Sequence, residues 1–403
     1  MNTRPKIIWL CTYSNDEKKT HLALWRNRHE EFGQWIPNLL QGFSNDARYE
    51  LHVVSAEAWM RRRRESWSEG GVTYHCFQPG VPGVGYSFRT PVEAWTEFYF
   101  NRRHIEEIVK GVKPDLVHLF GVENPQYGAA VLDLAPTMPV LVTIQGFVHR
   151  QRQFNSDYIT RVRCNYEEKL LRHCRHYSGD YDSEKVVRSI NPAATWKHLY
   201  FPVNEQLVRS TPAQAQRYDI LFAGGLTKPK GFGDFLEILR LLVQEVPHAR
   251  AGVVGHAETY PDAVPFLKTH NLTQNLIWLG RFPSQVDLFR TYRQTKVFLT
   301  PTYNDAFAST VRECMLLGTP VVSYKTGGIP YANRDGNENV VIVRQGDIMG
   351  MAQQVLDLLR NEKRREALAA RAMRFAQNEF SLASNVGAIK NEYERLIGQV
   401  QEQ

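Results

Sequence analysis

The chain has 403 residues, of which 43% are hydrophobic and 23% charged, and its formal net charge is +7. That length exceeds what one hydrophobic core usually serves, so two domains are expected, and the composition excludes a disordered or fibrous chain. Five scattered cysteines without a CxxC pair exclude a disulfide scaffold and a zinc ribbon, and suit reduced thiols in a cytosolic setting.

From the N-terminus, the first apolar run, Ile7 to Cys11, is too short for a secretory h-region, and no signal is expected. "AAVLDLAPTMPVLVTI" is the most apolar long stretch, but Asp133 and two prolines break it, so no membrane span is expected. Short apolar runs alternate with helical patterns, which predicts an α/β protein with parallel sheets. In the first half, strands are expected at 7–11, 51–55, 72–77, 116–120, 140–144 and 176–178, with a helix over 91–110 that Pro91 opens. A second series starts at "YDILFAGG", with strands at 220–222, 251–254, 276–279, 297–300, 321–323 and 340–343, followed by helix from Ile348. The polar, Pro-containing "YFPVNEQLV" (200–208) marks the boundary. The expected organisation is 1–203, then 204–380, then a C-terminal helix, 381–403, returning to the first domain. Two such halves place a ligand in a central cleft, at the carboxyl ends of the strands.

Chemistry concentrates in "YNDAFASTVRECMLLGTPVVSYKTGGIP" (303–330). Asp305 precedes a helix start at which Ser309 and Thr310 are good caps, and Glu313 lies on the first turns. A helix N-terminus seats a phosphate, whereas flanking carboxylates accept hydrogen bonds from hydroxyls. The ligand that satisfies both is a phosphate bridging two polyols, a nucleoside-diphosphate sugar. The plainer alternative is that Asp305 caps the helix and Glu313 is surface charge. "LFAGGLTKPKGFGDFL" (221–236) adds a strand, a Gly-Gly turn and Lys230 before a helix, without the GxxxxGK[ST] of a P-loop. "KTGGIP" (325–330) is a further glycine turn at a strand end.

Other features have plainer readings. "DYD" (180–182) falls at a strand-to-helix junction where Asp182 or Ser183 is the expected cap, and His149, His173 and His176 lack metal-ligand spacing. Trp95, Phe98 and Tyr99 stand at the i, i+3, i+4 spacing of a helix face and are expected to be core rather than membrane anchor. "AWMRRRRESW" (58–67) is expected in a loop, as a solvated surface or as a contact for anions.

The segment "AFASTVRECMLLGTPVVSYKTGGIP" resembles the donor-binding signature of the retaining family 4 glycosyltransferases, whose fold is GT-B: two Rossmann-like domains facing a cleft. "GGLTKPKG" is similar to the family's phosphate loop, and "PDLVHLFGVE", "PVLVTIQG" and "INP" look like pieces of its N-terminal domain. The resemblance implies transfer of a sugar from a nucleoside-diphosphate donor to a hydroxyl acceptor, with retention and without an obligatory metal or cofactor. It implies that Glu313 binds the ribose hydroxyls. Asp305, with the amides of Ala306, Phe307 and Ala308, would hold the donor sugar. Lys230, with the backbone of Thr310 and Val311, would neutralise the diphosphate, and Ser309, Gly224, Gly225 and Arg281 would complete the donor site. On the acceptor side it implies Gly33, Gln34, Glu123, Gln145 and Gly146, with Gln145 beside the reacting group. The chain departs from the family pattern at Asp305, where Glu is usual, at Gly225, where Arg is usual, and at Gln145, where His is common. The early Gly-Gly loop is reduced to "FGQW" (32–35). Expected partners are the nucleotide sugar and, through Arg61, Arg62, Arg63 and Arg64, an anionic acceptor or the inner face of a membrane. The alternatives are a glycosyltransferase acting on modified nucleic acid bases, a phosphorylase or epimerase of the same fold, or a catalytically silent nucleotide-sugar-binding relative.

Overall fold

The parallel strands are short runs of buried aliphatic and aromatic residues, the pattern of a sheet covered by helices on both faces. A computed structural model describes residues 4–13, 21–24, 35–44, 46–81, 86–282 and 284–401. In it the strands build two sheets in two units, Met1–Pro202 with Leu382–Gln403, and Val203–Ser381.

The first unit holds strands β1 (Lys6–Leu10), β2 (Glu50–Ala56), β3 (Arg64–Glu69), β4 (Val72–Phe77), β5 (Leu116–Phe120), β6 (Val140–Thr143), β7 (His176–Gly179) and β8 (Thr195–His198). Their order is β3-β4-β2-β1-β5-β6-β7-β8, and every pairing is parallel except β3 with β4. The order reverses between β1 and β5, a topological switch point of the kind at which open α/β sheets bind ligands.

Two of these strands are additions to the sequence expectation. The sequence of β3, RESWSE, is polar and carries no hydrophobic alternation. Its signal is the turn: Glu69 pairs with Val72 across Gly70-Gly71, whose φ values of 58° and 76° suit a two-residue hairpin. Arg64 therefore opens a strand, where it pairs with Glu107, instead of lying in a loop with Arg61, Arg62 and Arg63. Strand β8, with its half-buried edge sequence TWKH, is similarly weak in pattern.

The expected helix over 91–110 is two helices, Tyr86–Trp95 and Tyr99–Val112, and Pro91 sits inside the first rather than opening it. Glu97 and Phe98 adopt left-handed backbone (φ 51° and 55°) between them. That break buries Phe98 edge-on against Tyr166 but leaves Trp95 82% and Tyr99 54% exposed, so only one of the three aromatics is core.

The C-terminal helix, Leu382–Gln401, packs Val386, Ile389, Tyr393 and Leu396 into the core around Trp9 and Leu39. The Tyr393 hydroxyl accepts from Trp9 Nε1 (2.8 Å) and meets His118 Nδ1 at 2.6 Å. His118 Nε2 in turn meets Thr143 Oγ1 (2.6 Å). A buried polar chain therefore ties the helix to β1, β5 and β6. Among the described residues no helix is long and apolar enough to cross a membrane.

The second unit holds β9 (Tyr218–Ala223), β10 (Ala251–Val254), β11 (Leu276–Trp278), β12 (Thr295–Thr300), β13 (Val321–Tyr324) and β14 (Val341–Val343), in the order β11-β10-β9-β12-β13-β14. All pairings are parallel, and the order reverses between β9 and β12. The loops leaving the carboxyl ends of β9 and β12 are therefore neighbours, although about 75 residues separate them in sequence.

Candidate active site

Three loops meet at the switch point of the second unit. The loop after β9 runs through Gly224 and Gly225, both exposed, into a short turn at Lys228–Lys230 and then the helix Phe232–Glu245. Tyr303 N donates to Pro229 O (2.8 Å), which joins this turn to the loop after β12. Gly231 closes the junction: at φ 72° its would-be Cβ lies 1.8 Å from Pro301 O, so no other residue fits unless the backbone moves. The loop after β13 docks from the other side. Gly328 N donates to Ala306 O (2.7 Å), and Gly327 (φ 51°) brings its Cα to the carbonyls of Asp305 and Ala306.

These ties bring Lys230 and Asp305 together: Lys230 Nζ lies 2.7 Å from Asp305 Oδ2. The carboxylate also receives the Ala306 amide on Oδ1 (3.1 Å). Asp305 is thus neither a helix cap nor an isolated acid but half of an ion pair on a loop edge. The helix Ser309–Leu316 begins with Ala308 at its cap position and no side-chain hydrogen bond there. Ser309 and Thr310, the expected caps, are already helical, so the first-turn amides keep no side-chain acceptor at the cap. Such an end, beside an ammonium, suits a phosphate.

Glu313 is buried, at 6% exposure, rather than a surface charge. Burial raises its carboxyl to about 7, against the pull of the Arg312 guanidinium and the Tyr292 hydroxyl. The guanidinium of Arg312 stacks over Phe380 (5.9 Å), and Phe380 meets Phe307 edge-on at 5.3 Å, so Phe307 is a packing residue whose contribution to a ligand could come only from its backbone. Ala308 and Val311 are buried as well.

Glycines 224 and 225 are not forced by the protein: a methyl at either would meet nothing closer than 3.8 Å, and the room they leave is on the outside. Arg281, exposed beyond β11, is separated from β9 by β10. Among the described residues it shares no hydrogen bond or ion pair with Lys230, Asp305 or Glu313.

Tertiary supports that sequence reasoning missed surround these loops. The Tyr303 and Tyr324 hydroxyls both donate to Asp234 Oδ2 (2.7 Å each). Thr326 Oγ1 donates to Thr302 O (2.6 Å) and accepts from Gln345 Nε2 (2.7 Å). Thr302, Tyr303, Thr326 and Gln345 lie just past strand ends, whereas Tyr324 ends β13 and Asp234 lies in the helix Phe232–Glu245, so no local pattern links them.

The first unit has a second constellation at its own switch point. Glu123 follows β5, and Gln145 and Gly146 follow β6. With its amide oriented to satisfy both neighbours, Gln145 donates to Glu123 Oε1 (3.0 Å) and accepts from Trp35 Nε1 (2.9 Å). Gly121 (φ 87°) makes room for the carboxyl, whose oxygens lie 2.5 Å from where a Cβ would stand. Burial raises Glu123 to about 7; Arg163 lowers it and Glu167 raises it further. Gly33 and Gln34 lie outside the described residues. At "DYD" the helix cap is Asp180, which accepts from Ser183 N (2.7 Å), while Asp182 pairs with Arg150; neither Asp182 nor Ser183 is the cap. No group of three His, Cys, Asp or Glu side chains that could hold a metal ion occurs among the described residues.

Residues 203–375 match the family model of glycosyl transferases group 1. The chain is 31% identical over 234 residues to a D-inositol 3-phosphate glycosyltransferase of Thermomonospora curvata, covering 54% of this chain and 53% of that protein. It thus spans about half the length of the curated relatives it matches. Among solved structures, the sucrose-phosphate synthase of Thermosynechococcus elongatus superposes with a TM-score of 0.76 at 16% identity, covering 98% of this chain and 100% of that one. The Anabaena protein HepE, solved in complex with UDP, superposes at 0.67 and 12% identity over 97% of this chain and 100% of its own. At those identities the likeness concerns the fold, which is that of the GT-B glycosyltransferases.

Proposed function

We propose, for a chain that belongs through residues 203–375 to the glycosyl transferases group 1, that it moves a sugar from a nucleoside-diphosphate donor to a hydroxyl acceptor with retention of configuration. The observation that carries this reading is the Lys230–Asp305 pair set beside a helix start without a side-chain cap, with the carboxyl of Glu313 buried one turn further on. The matched relatives named as glycosyltransferases and the neighbour solved with UDP support it.

In this reading the donor diphosphate lies over the first turn of the helix Ser309–Leu316. Its charge is met by Lys230, the amide of Thr310 and the positive end of the helix, whose Val311 amide donates to Ala308 O (3.2 Å), and this is charge compensation that asks for no metal. Glu313 accepts from the ribose hydroxyls. Asp305 and the amides of Phe307 and Ala308 take the sugar hydroxyls, while the Ala306 amide donates to Asp305 Oδ1 and holds that carboxylate in place. In transfer, the bond from the anomeric carbon to the phosphate oxygen breaks while the bond to the acceptor oxygen forms on the same face. The departing phosphate oxygen takes the acceptor's proton. Lys230 and the helix amides stabilise charge as it develops on the leaving group, so catalysis is chiefly positioning and electrostatic preorganisation.

The test is thermal stabilisation by uridine, guanosine, adenosine, cytidine and thymidine diphosphates with a chelator present. A ligand that binds only the folded state at a hundredfold excess over Kd contributes about 2.7 kcal/mol. The expected result is one base that raises the melting temperature by several degrees without metal. No shift from any of the five overturns the donor-site reading. A shift without turnover would leave a nucleotide-sugar-binding relative.

A further inference from the structure

We propose that the groove between the helix Glu362–Glu379 and the loop 334–339 is a second ligand site of the second unit, for a small organic phosphate that also carries hydroxyls. The inference does not depend on the glycosyltransferase reading above, and its residues are not those of the donor loops.

Size comes first. The groove has a volume of about 590 Å³, and Arg374, Asn337 and Asn378 on its walls are exposed. Small-molecule sites span roughly 300–1,000 Å³, so the groove suits a ligand of several carbons, and a bare phosphate would leave most of it to water. One wall is the helix, where Arg371, Arg374 and Asn378 stand at i, i+3 and i+7 and so share a face. The other is the loop that leads into β14, with Asn337 on it.

The charges set the ligand class. Both acids of the lining are already engaged. Glu379 pairs with Arg334, whose guanidinium lies over the Phe375 ring at 4.9 Å. Asp335 accepts from the Asn337 amide (3.0 Å) and from Asn339 Nδ2 (2.9 Å). Arg371 Nε and Nη2 donate to the Glu338 carbonyl (3.2 and 3.1 Å), which fixes the guanidinium without neutralising it, and the Glu338 carboxylate itself pairs with Arg364. Arg374 has no hydrogen bond or ion pair among the described residues. A single exposed arginine is ordinarily a solvated charge. Two of them one helical turn apart, in a concavity whose acids are occupied, offer paired N–H donors to one oxyanion, the arrangement that guanidinium groups use for phosphate. The side-chain amides of Asn337 and Asn378 both donate and accept, which suits hydroxyls on the same ligand.

The position separates this groove from the donor loops. Met373 Sδ lies 4.0 Å from where a Cβ on Gly318 would stand, in the turn that leads into β13. Arg371 and Arg374 therefore flank the amino ends of the strands, whereas Lys230 and Asp305 stand at the carboxyl ends. Neither arginine shares a hydrogen bond or ion pair with Lys230, Asp305 or Glu313 among the described residues.

The test is calorimetric titration of the full chain at low salt with glucose 6-phosphate, ribose 5-phosphate and glycerol 3-phosphate, and with glucose and inorganic phosphate as controls. At least one of the three organic phosphates should bind about tenfold tighter than inorganic phosphate, and glucose should not bind. Arg374→Ala, which removes no hydrogen bond or ion pair of the protein, should weaken that ligand by about tenfold or more, the loss expected for a hydrogen bond between charged groups. Arg371→Lys keeps the charge but loses the paired donors, and should weaken it severalfold. Lys230→Ala, in the donor loops, should leave it unchanged. Absence of binding by all three, equal affinity for inorganic phosphate, or full affinity in Arg374→Ala would overturn the proposal. Affinity lost in Lys230→Ala but kept in Arg374→Ala would put the phosphate in the donor loops and overturn it as well.

Discussion

A carboxyl that accepts from ribose hydroxyls does so best ionised, and Glu313, raised to about 7 by burial, has to lose its proton to do it. Nucleoside diphosphate affinity is therefore expected to weaken as pH falls from 7 to 5, by up to about tenfold per unit, which calorimetric titration at several pH values would show. Glu313→Ala should weaken the free nucleotide by about 1.5–3 kcal/mol, the range for hydrogen bonds to charged groups. Asp305→Ala should spare the free nucleotide and impair the donor sugar. It should also cost less than about 1 kcal/mol of stability, because its pair with Lys230 is partly exposed. Equal nucleotide affinity in both variants would refute the division of roles. Among the glycines, Gly327→Ala is the severe change, since φ is 51° and the new Cβ would stand 2.1 Å from Asp305 O. A loss of about 2 kcal/mol or more is expected by thermal melting, against little change for Gly225→Ala, where space is open.

At the level of elements, the C-terminal helix is held by specific groups as well as by burial. Lys390 Nζ donates to Gly42 O (2.7 Å) and pairs with Asp46 Oδ2 (2.5 Å), and Arg48 and Lys390 together hold the Asp46 carboxyl well below the usual range. Tyr393→Phe would leave the Trp9 indole N–H and His118 Nδ1 without their common partner, at a cost of about 1–3 kcal/mol in denaturant unfolding. An unchanged midpoint would mean that water replaces the hydroxyl. The helix pair at Tyr86–Trp95 and Tyr99–Val112 shows why element boundaries read poorly from pattern. The 3.6-residue periodicity runs on through Glu97 and Phe98, and only the socket beside Tyr166 rewards a left-handed break there. Strand β3 hid for the opposite reason: a polar edge strand needs no hydrophobic alternation, and only its Gly-Gly turn and its partner β4 define it.

For the whole molecule, the two raised carboxyls set a pH dependence. Each binds a proton more tightly folded than unfolded, so the stabilising difference is fully present below about 4.5 and is lost as pH rises to about 7. Glu123→Gln and Glu313→Gln should therefore gain on the wild-type protein between pH 5 and pH 8, by up to about 3 kcal/mol each, from the energy of a pKa unit. His75 and His118 work in the other direction. Burial depresses both, His75 to about 4, and their contribution is lost as pH falls below about 6.5. The wild-type curve is thus a compensated sum, and the variants' difference curves are the cleaner measurement. Stability curves parallel to wild type across this range would mean that neither carboxyl is raised.

Short buried runs, glycine turns and the spacing Asp305–Glu313 are local facts, and from them the sequence alone determined two α/β units, most strand positions and the glycine-bearing loops that leave the carboxyl ends of the second sheet. A strand's hydrophobic run and a turn's glycines act through the chain next to them, so no tertiary information was needed. Topology decided the rest. Lys230 reaches Asp305 because β9 and β12 are adjacent at the reversal of the sheet, Glu313 is buried because its helix packs on that sheet, and Glu123 meets Gln145 because β5 and β6 are neighbours. Whether a carboxylate is a cap, a surface charge, an ion-pair partner or a half-protonated acid depends on what the fold places within about 3 Å of it.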